Sequence, residues 1–225
     1  MGYAEAYARQ QAEHEAVLAQ RDREVRERCG ALLLVEHDPV ITVTRRSGAG
    51  HVLAPREALA AQGVALVDTD RGGDVTYHGP GQLVVYPILD LNALGLKLHG
   101  YMRLLEQVVI DALALWGIDG QRDPGATGVW VAPEAGAPMA KIAAMGVRVR
   151  RWVTLHGLAL NVDPDLRHFQ LIVPCGLAGR PVTSLRALLG DEAPSMDAAK
   201  RAVVAALRVR LAEASREPAR QGVQR

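Results

Sequence analysis

Apolar residues recur along this chain with two different periods, and the switches between them mark out its elements. Over the first thirty residues Tyr3, Tyr7, His14, Val17, Leu18 and Val25 keep near-helical spacing with charges between them, the pattern of an amphipathic helix. Two apolar runs follow, ALLLVEH (31–37) and VITVT (40–44), divided by Asp38-Pro39. The runs read as strands and the dipeptide as a turn. Pro55 opens a short predicted helix, PREALAAQ, and Gly63 ends it, proline suiting a first helical turn and glycine an end. VALVDTD (64–70) and QLVVYPILDL (82–91) read as further strands, with the turn-rich RGGDVTYHGPGQ between them.

From Tyr101 to Trp116 the apolar positions Leu104, Leu105, Val108, Val109, Leu113 and Leu115 predict a buried helix closed by Gly117. Strands are predicted at 128–132, 140–152 and 153–162. In the second, Val147 and Val149 alternate with Arg148 and Arg150, the period of a half-buried strand. LIVPCG (171–176) reads as a short strand ending in a turn, followed by helices at about 183–189 and 195–214. The polar tail, 215–225, has the composition of a disordered segment. This mixture predicts an α+β (mixed α/β) fold, a mixed β-sheet flanked by helices, rather than regular β-α alternation. A chain of 225 residues, 49% hydrophobic, suits a single domain over 1–214.

Charge narrows the partners. Lysine and arginine (26) nearly balance aspartate and glutamate (25), so there is no general electrostatic case for nucleic acid or a membrane surface. Only 4% of residues are aromatic, which argues against stacking platforms for single strands. No run of about 20 apolar residues predicts a membrane span, and the charged N-terminal segment lacks the apolar middle of a secretory signal. A cytoplasmic protein is expected, with Cys29 and Cys175 as free thiols. The histidines show no HxxxH or HxH pairing, so no metal is expected.

Three segments carry candidate chemistry. Cys175 stands in Val173-Pro174-Cys175-Gly176, where the turn can present a thiol to a cleft; a small buried hydrophobe is the alternative. Lys141 opens Lys141-Ile142-Ala143-Ala144-Met145-Gly146. Among such small and apolar neighbours a lysine either snorkels to solvent or, desolvated beside a thiol, favours the thiolate and exchanges protons with it. Arg71 to Gln82, RGGDVTYHGPGQ, has two glycines that leave room for a slender ligand such as an alkyl chain or a phosphopantetheine arm. It has neither the P-loop nor the GxGxxG spacing. His78 reads either as a hydrogen-bond donor to a carbonyl or as a structural histidine. Gly157 and its small neighbours let another backbone or a ligand approach the strand at 153–162.

Taken together, RGGDVTYHGPGQ (71–82), KIAAMGVRVRR (141–151), LHGLALNV (155–162) and VPCG (173–176) resemble the lipoyl(octanoyl) transferases of lipoate biosynthesis, with a looser match at 32–46. The resemblance spans about residues 31–190. It implies the fold shared by the catalytic domains of biotin and lipoate ligases. It implies that Cys175 carries an acyl thioester and that Lys141 lowers the pKa of that cysteine. Arg71, Gly72, Gly73, Asp74, Val75, Thr76, Tyr77 and His78 would line the acyl-substrate site, completed by Ala144, Met145, Gly146, Gly157, Leu158 and Ala159. The implied donor is octanoyl-acyl-carrier protein. The implied acceptors are lipoyl domains of 2-oxoacid dehydrogenase complexes and the glycine cleavage H protein, and no cofactor is implied. Arg45, Arg46, Arg148, Arg150 and Arg151 offer a local basic surface for an acidic carrier. Thr44, Leu155 and the pair Ala144-Met145 depart from the residues often found in the family. The alternatives are an ATP-dependent lipoate or biotin-type ligase, which needs no nucleophile at position 175, and a non-catalytic binder of the same partners.

Overall fold

The computed structural model describes residues 1–21, 23, 30–45, 47, 50–134, 136–173 and 179–216. Helix α1 (Tyr3–Leu18) is followed by β1 (Gly30–Val35), β2 (Val40–Thr44), α2 (Arg56–Ala61), β3 (Ala65–Thr69), β4 (Thr76–His78) and β5 (Gln82–Leu89). Then come α3 (Leu98–Ala114), β6 (Gln121–Asp123), β7 (Ala126–Val131), β8 (Ala140–Arg150) and β9 (Val153–Asn161). A 3-10 helix (Leu166–Leu171), α4 (Leu185–Leu189) and α5 (Met196–Arg216) complete the order.

The main sheet is antiparallel with strand order β1-β5-β9-β8-β7-β6, and a smaller sheet has order β3-β2-β4. All eight residues of β5 and all nine of β9 are buried, because helices cover both faces of the main sheet. On one face α3 and α5 bury Leu105, Val109, Ile142, Leu158 and Val203. On the other, α1 packs Ala6, Val17 and Leu18 against Val84, Tyr86 and Ala159. The predicted α+β class, with a sheet flanked by helices, is what the chain adopts; among the named strands parallel pairing is confined to β2 and β3.

Several boundaries differ from the sequence expectation. Helix α1 ends at Leu18 instead of running to residue 30, and Val25 lies outside the described residues. The runs at 31–37 and 40–44 enter different sheets: β1 pairs with β5, whereas β2 runs parallel to β3 and antiparallel to β4. Parallel pairing of β2 and β3 follows from the crossover through α2. Strand β4 forms inside the segment read as a turn-rich connection, and β6 was not anticipated. Ile172 makes only an isolated bridge to Val52. Helix α5 continues through Arg216, past the expected end at 214; residues 217–225 lie outside the described residues.

Candidate active site

Small residues facing each other across two strands open a cavity between the main sheet and α1. Ala144 lies opposite Ala159, and Gly146 opposite Gly157. The cavity is narrow, with a free volume of about 30 Å³. Its far wall is the arginine-glycine loop, which closes on the half of β8 beyond β7: the Gly72 N–H donates to the Val147 carbonyl at 2.8 Å. A Cβ on Gly146 would sit 2.8 Å from the Gly72 oxygen, and one on Gly157 only 2.1 Å from the Val85 oxygen. Both glycines are therefore required by close backbone approach.

Of the expected substrate-binding set, Arg71, Thr76, His78, Ala144, Met145, Gly146, Gly157, Leu158 and Ala159 line this cavity. Gly72, Gly73, Asp74, Val75 and Tyr77 support it from behind. Val75 and Tyr77 fill the core of the small sheet beside Ile41 and Leu59. Asp74 holds the His51 ring at 2.5 Å, and the Gly73 carbonyl accepts from the Thr44 hydroxyl at 2.9 Å. Thr44, a departure from the family pattern, thus ties β2 to the glycine loop. Tyr3, Val84, Tyr86 and His156 also line the cavity and were missed. Tyr3 arrives from α1 with no local signal, and Tyr86 is hidden in a wholly apolar run.

Lys141 does not line the cavity, but a bulge gives it the same side of the sheet. Val129 pairs with Ala143 while Trp130 pairs with Lys141, so β8 holds one extra residue there. Ile142 and Ala143 consequently both enter the α3 core. Lys141 and Ala144, three apart, then share the opposite face. The lysine is 7% exposed. Its Nζ donates to the Thr127 carbonyl at 3.1 Å and lies 4.7 Å from the centre of the Trp130 ring. Glycine at 128 leaves room for the stem, since a Cβ there would come within 3.2 Å of Lys141 Cε. The Lys141 peptide is bracketed by the chain beyond position 175: its N–H donates to Pro181 O at 2.9 Å, and Thr183 N–H donates to its carbonyl at 3.0 Å. Cys175 itself lies outside the described residues, as do Cys29 and Arg46.

Two histidines face the cavity. His78 Nδ1 lies 2.7 Å from Gln82 Oε1. Burial, reinforced by the neighbouring His37, lowers its pKa to about 3. The ring is neutral at physiological pH and donates from Nδ1 to Gln82. His156 takes φ 60° within β9, and its Nε2 lies 2.8 Å from Asp70 Oδ1. Burial, then Arg71 and Arg148, depress its pKa to about 3. The Asp70 carboxylate pulls the other way, but Arg148 is ion-paired to that carboxylate. Asp70 also accepts from the Tyr7 hydroxyl at 2.7 Å.

Arg45, Arg71 and Arg148 surround a shallow depression beside the cavity, while Arg150 and Arg151 are exposed at the β8–β9 turn. Among the described residues no cluster of three or more His, Cys, Asp or Glu could hold a metal ion, and no helix is long and apolar enough to cross a membrane.

An antiparallel sheet flanked by helices, a glycine loop folded onto a largely apolar slot and a buried lysine on the slot's side belong to a catalytic domain of the lipoyl ligase type. The fold is similar to that of lipoate-protein ligase A bound with ATP, with a TM-score of 0.66 and 17% identity, covering 91% of this chain and 81% of that one. Residues 3–208 match the family described as the lipoyl protein ligase A/B catalytic domain. An octanoyltransferase of Chloroflexus aggregans is 52% identical over 173 residues, 76% of each chain. One from Gloeobacter violaceus is 53% identical over 160 residues, 71% of this chain and 67% of that one. The chain belongs to this family and, within it, to the octanoyltransferases, which are acyltransferases.

Proposed function

We propose that the chain transfers an octanoyl group from acyl-carrier protein to a lysine of a lipoyl domain through a thioester on Cys175. The observation that carries this reading is the placement of Lys141. It is buried, turned by a bulge to the face that carries the acyl cavity, and main-chain bonded to the segment that follows Cys175. In the first step the Cys175 thiolate attacks the donor carbonyl, and the C–S bond to the carrier arm breaks. The departing thiolate takes up a proton from the Lys141 ammonium, which leaves that amine neutral for the second step. Before the attack, the same ammonium favours the Cys175 thiolate. In the second step the acceptor amine attacks, an amide forms and the Cys175–carbonyl bond breaks; Lys141 accepts the proton the amine loses. Thioester to amide runs downhill without ATP, and ping-pong kinetics follow.

On widening, the cavity would take the octanoyl chain, with Arg71 to His78, Ala144 to Gly146 and Gly157 to Ala159 as its walls or their supports. Arg45, Arg71 and Arg148 would meet the acidic donor protein. The acceptors in this reading are lipoyl domains of 2-oxoacid dehydrogenase complexes and the glycine cleavage H protein.

Intact-protein mass spectrometry after mixing with octanoyl-acyl-carrier protein, with neither ATP nor acceptor present, tests this. The expected result is an octanoyl adduct that hydroxylamine removes and that Cys175→Ala lacks. Octanoylation only with free octanoate and ATP would replace this reading with a ligase. Lys141→Ala should slow adduct formation about a hundredfold at neutral pH, and equal rates would remove Lys141 from the mechanism.

A further inference from the structure

Building on the acyl-transfer reading, we propose that Gln82 and Asn161 are positioning residues. They lock His78 with its proton on Nδ1, so that Nε2 offers a fixed lone pair to an N–H donor of the substrate. That donor is either the attacking amine of the acceptor lysine or an amide of the carrier arm.

Backbone groups alone dictate the direction of every bond in this relay. The Thr183 carbonyl can only accept, so the Asn161 Nδ2 amide group faces it, at 2.9 Å. Asn161 Oδ1 is thereby turned to Gln82, whose Nε2 donates to it at 2.9 Å. The same Nε2 lies 3.4 Å from the Tyr77 carbonyl, another obligate acceptor. Gln82 Oε1 must then face His78, and a carbonyl oxygen accepts only if Nδ1 carries the proton. His78, Gln82, Asn161 and Thr183 are 7, 2, 4 and 6% exposed, so reversing one amide would bury mismatched groups throughout.

The relay joins three elements of the site. It runs from the ring on β4, through the Gln82–Asn161 pair directly opposed across β5 and β9, to Thr183. The Thr183 N–H ends it on the carbonyl of Lys141. His78 Nε2 has no partner among the described residues, and the ring lines the cavity. The titratable groups facing His78 are His37, with ring centres 5.7 Å apart, Arg71 and His156. None is a carboxylate, so nothing in the surroundings converts His78 into an imidazolium donor. A neutral acceptor at a fixed point can hold an N–H so that the nitrogen lone pair faces a thioester carbonyl. Proton transfer remains with Lys141.

Two measurements test this. In the full chain labelled with ¹⁵N-histidine, the His78 signals, assigned by their loss in His78→Gln, should show Nδ1–H and a bare Nε2. That pattern should persist from about pH 8 to about pH 5.5. An Nε2–H form overturns the proposal without reference to activity, and decides alone should the following variant not fold. Gln82→Glu keeps an acceptor on Nδ1 but raises the ring's affinity for a proton. Its rate relative to the parent should fall about tenfold between about pH 8 and about pH 6. A fall confined to single-turnover transfer from octanoyl-enzyme to a lipoyl domain identifies the amine as donor. A fall confined to loading from octanoyl-acyl-carrier protein identifies the arm amide. A parent-like profile in both steps overturns the proposal. Absence of any acyl-enzyme in the parent would instead strike the thioester reading, leaving the tautomer result standing.

Discussion

His78 and His156 face one cavity from two sides, and their settings are built on opposite principles. His78 donates from Nδ1 into a chain of neutral amides that ends on backbone. His156 lies against a carboxylate that also carries Arg148 and the Tyr7 hydroxyl. Gln82 is 2% exposed, whereas the Asp70 and Arg148 side chains are 32% and 41% exposed. A neutral relay is indifferent to salt and intolerant of a missing member. A part-exposed ion cluster is screened by salt and loses less with each partner. The molecule uses the first for the ring that joins the lysine strand and the second for the ring under α1.

The largest effect should come from acid. Each ring titrates near 6.5 when unfolded and at about 3 when folded. Between those values the unfolded chain holds the extra proton, so stability falls as pH drops from 6.5 toward 3. The slope is about 1 kcal/mol per pH unit for each ring. His78→Gln and His156→Gln should each reduce the slope of unfolding free energy against pH, between about pH 6 and about pH 4, by about 1 kcal/mol per pH unit. If only His78→Gln does so, then His156 is an imidazolium in the folded protein, and the carboxylate outweighs burial and the two arginines.

Second in size is Gln82→Leu, which strands the His78 Nδ1–H and Asn161 Oδ1 in a dry site. A loss of about 3 kcal/mol is expected in urea unfolding, independent of salt. Asp70→Asn should lose less, about 1–2 kcal/mol, because Arg148 can reach water. That loss should shrink in about 1 M salt. Equal losses from the two variants would erase the distinction between the settings.

The motif RGGDVTYHGPGQ and the family resemblance of the blocks around 144–146 and 157–159 made most of the cavity legible in the sequence, while the register that sets Ala144 opposite Ala159 and Gly146 opposite Gly157 was not. A sheet flanked by helices was legible too, from alternation and apolar runs. What stayed hidden depends on events that periodicity cannot register. The bulge that brings Lys141 to the cavity side is invisible to a strict count of two. His156 would face the α3 core by alternation with Leu158 and Leu160; at φ 60° it instead stacks on Tyr7, ring centres 5.4 Å apart. The partition of β1 and β2 between two sheets is set by pairing with strands forty or more residues away for β1 and by the α2 crossover for β2. The glycines of 71–81 hid β4, whose three buried residues sit between them.

The smallest test concerns the outermost member of the charged setting. Tyr7→Phe removes the 2.7 Å bond to Asp70 but keeps the near-parallel stack on His156, tilted by 9°. Asp70 retains Arg148 and His156, so the loss should be about 0.5–1 kcal/mol in thermal or urea unfolding. Octanoyl loading should change by less than about twofold, since the hydroxyl acts only through a carboxylate that stays paired. A loss above about 2 kcal/mol would mean that Tyr7, rather than Arg148, keeps Asp70 satisfied. The Arg148 pair would then be a surface contact, and His156 would owe its neutral form to burial and Arg71 alone.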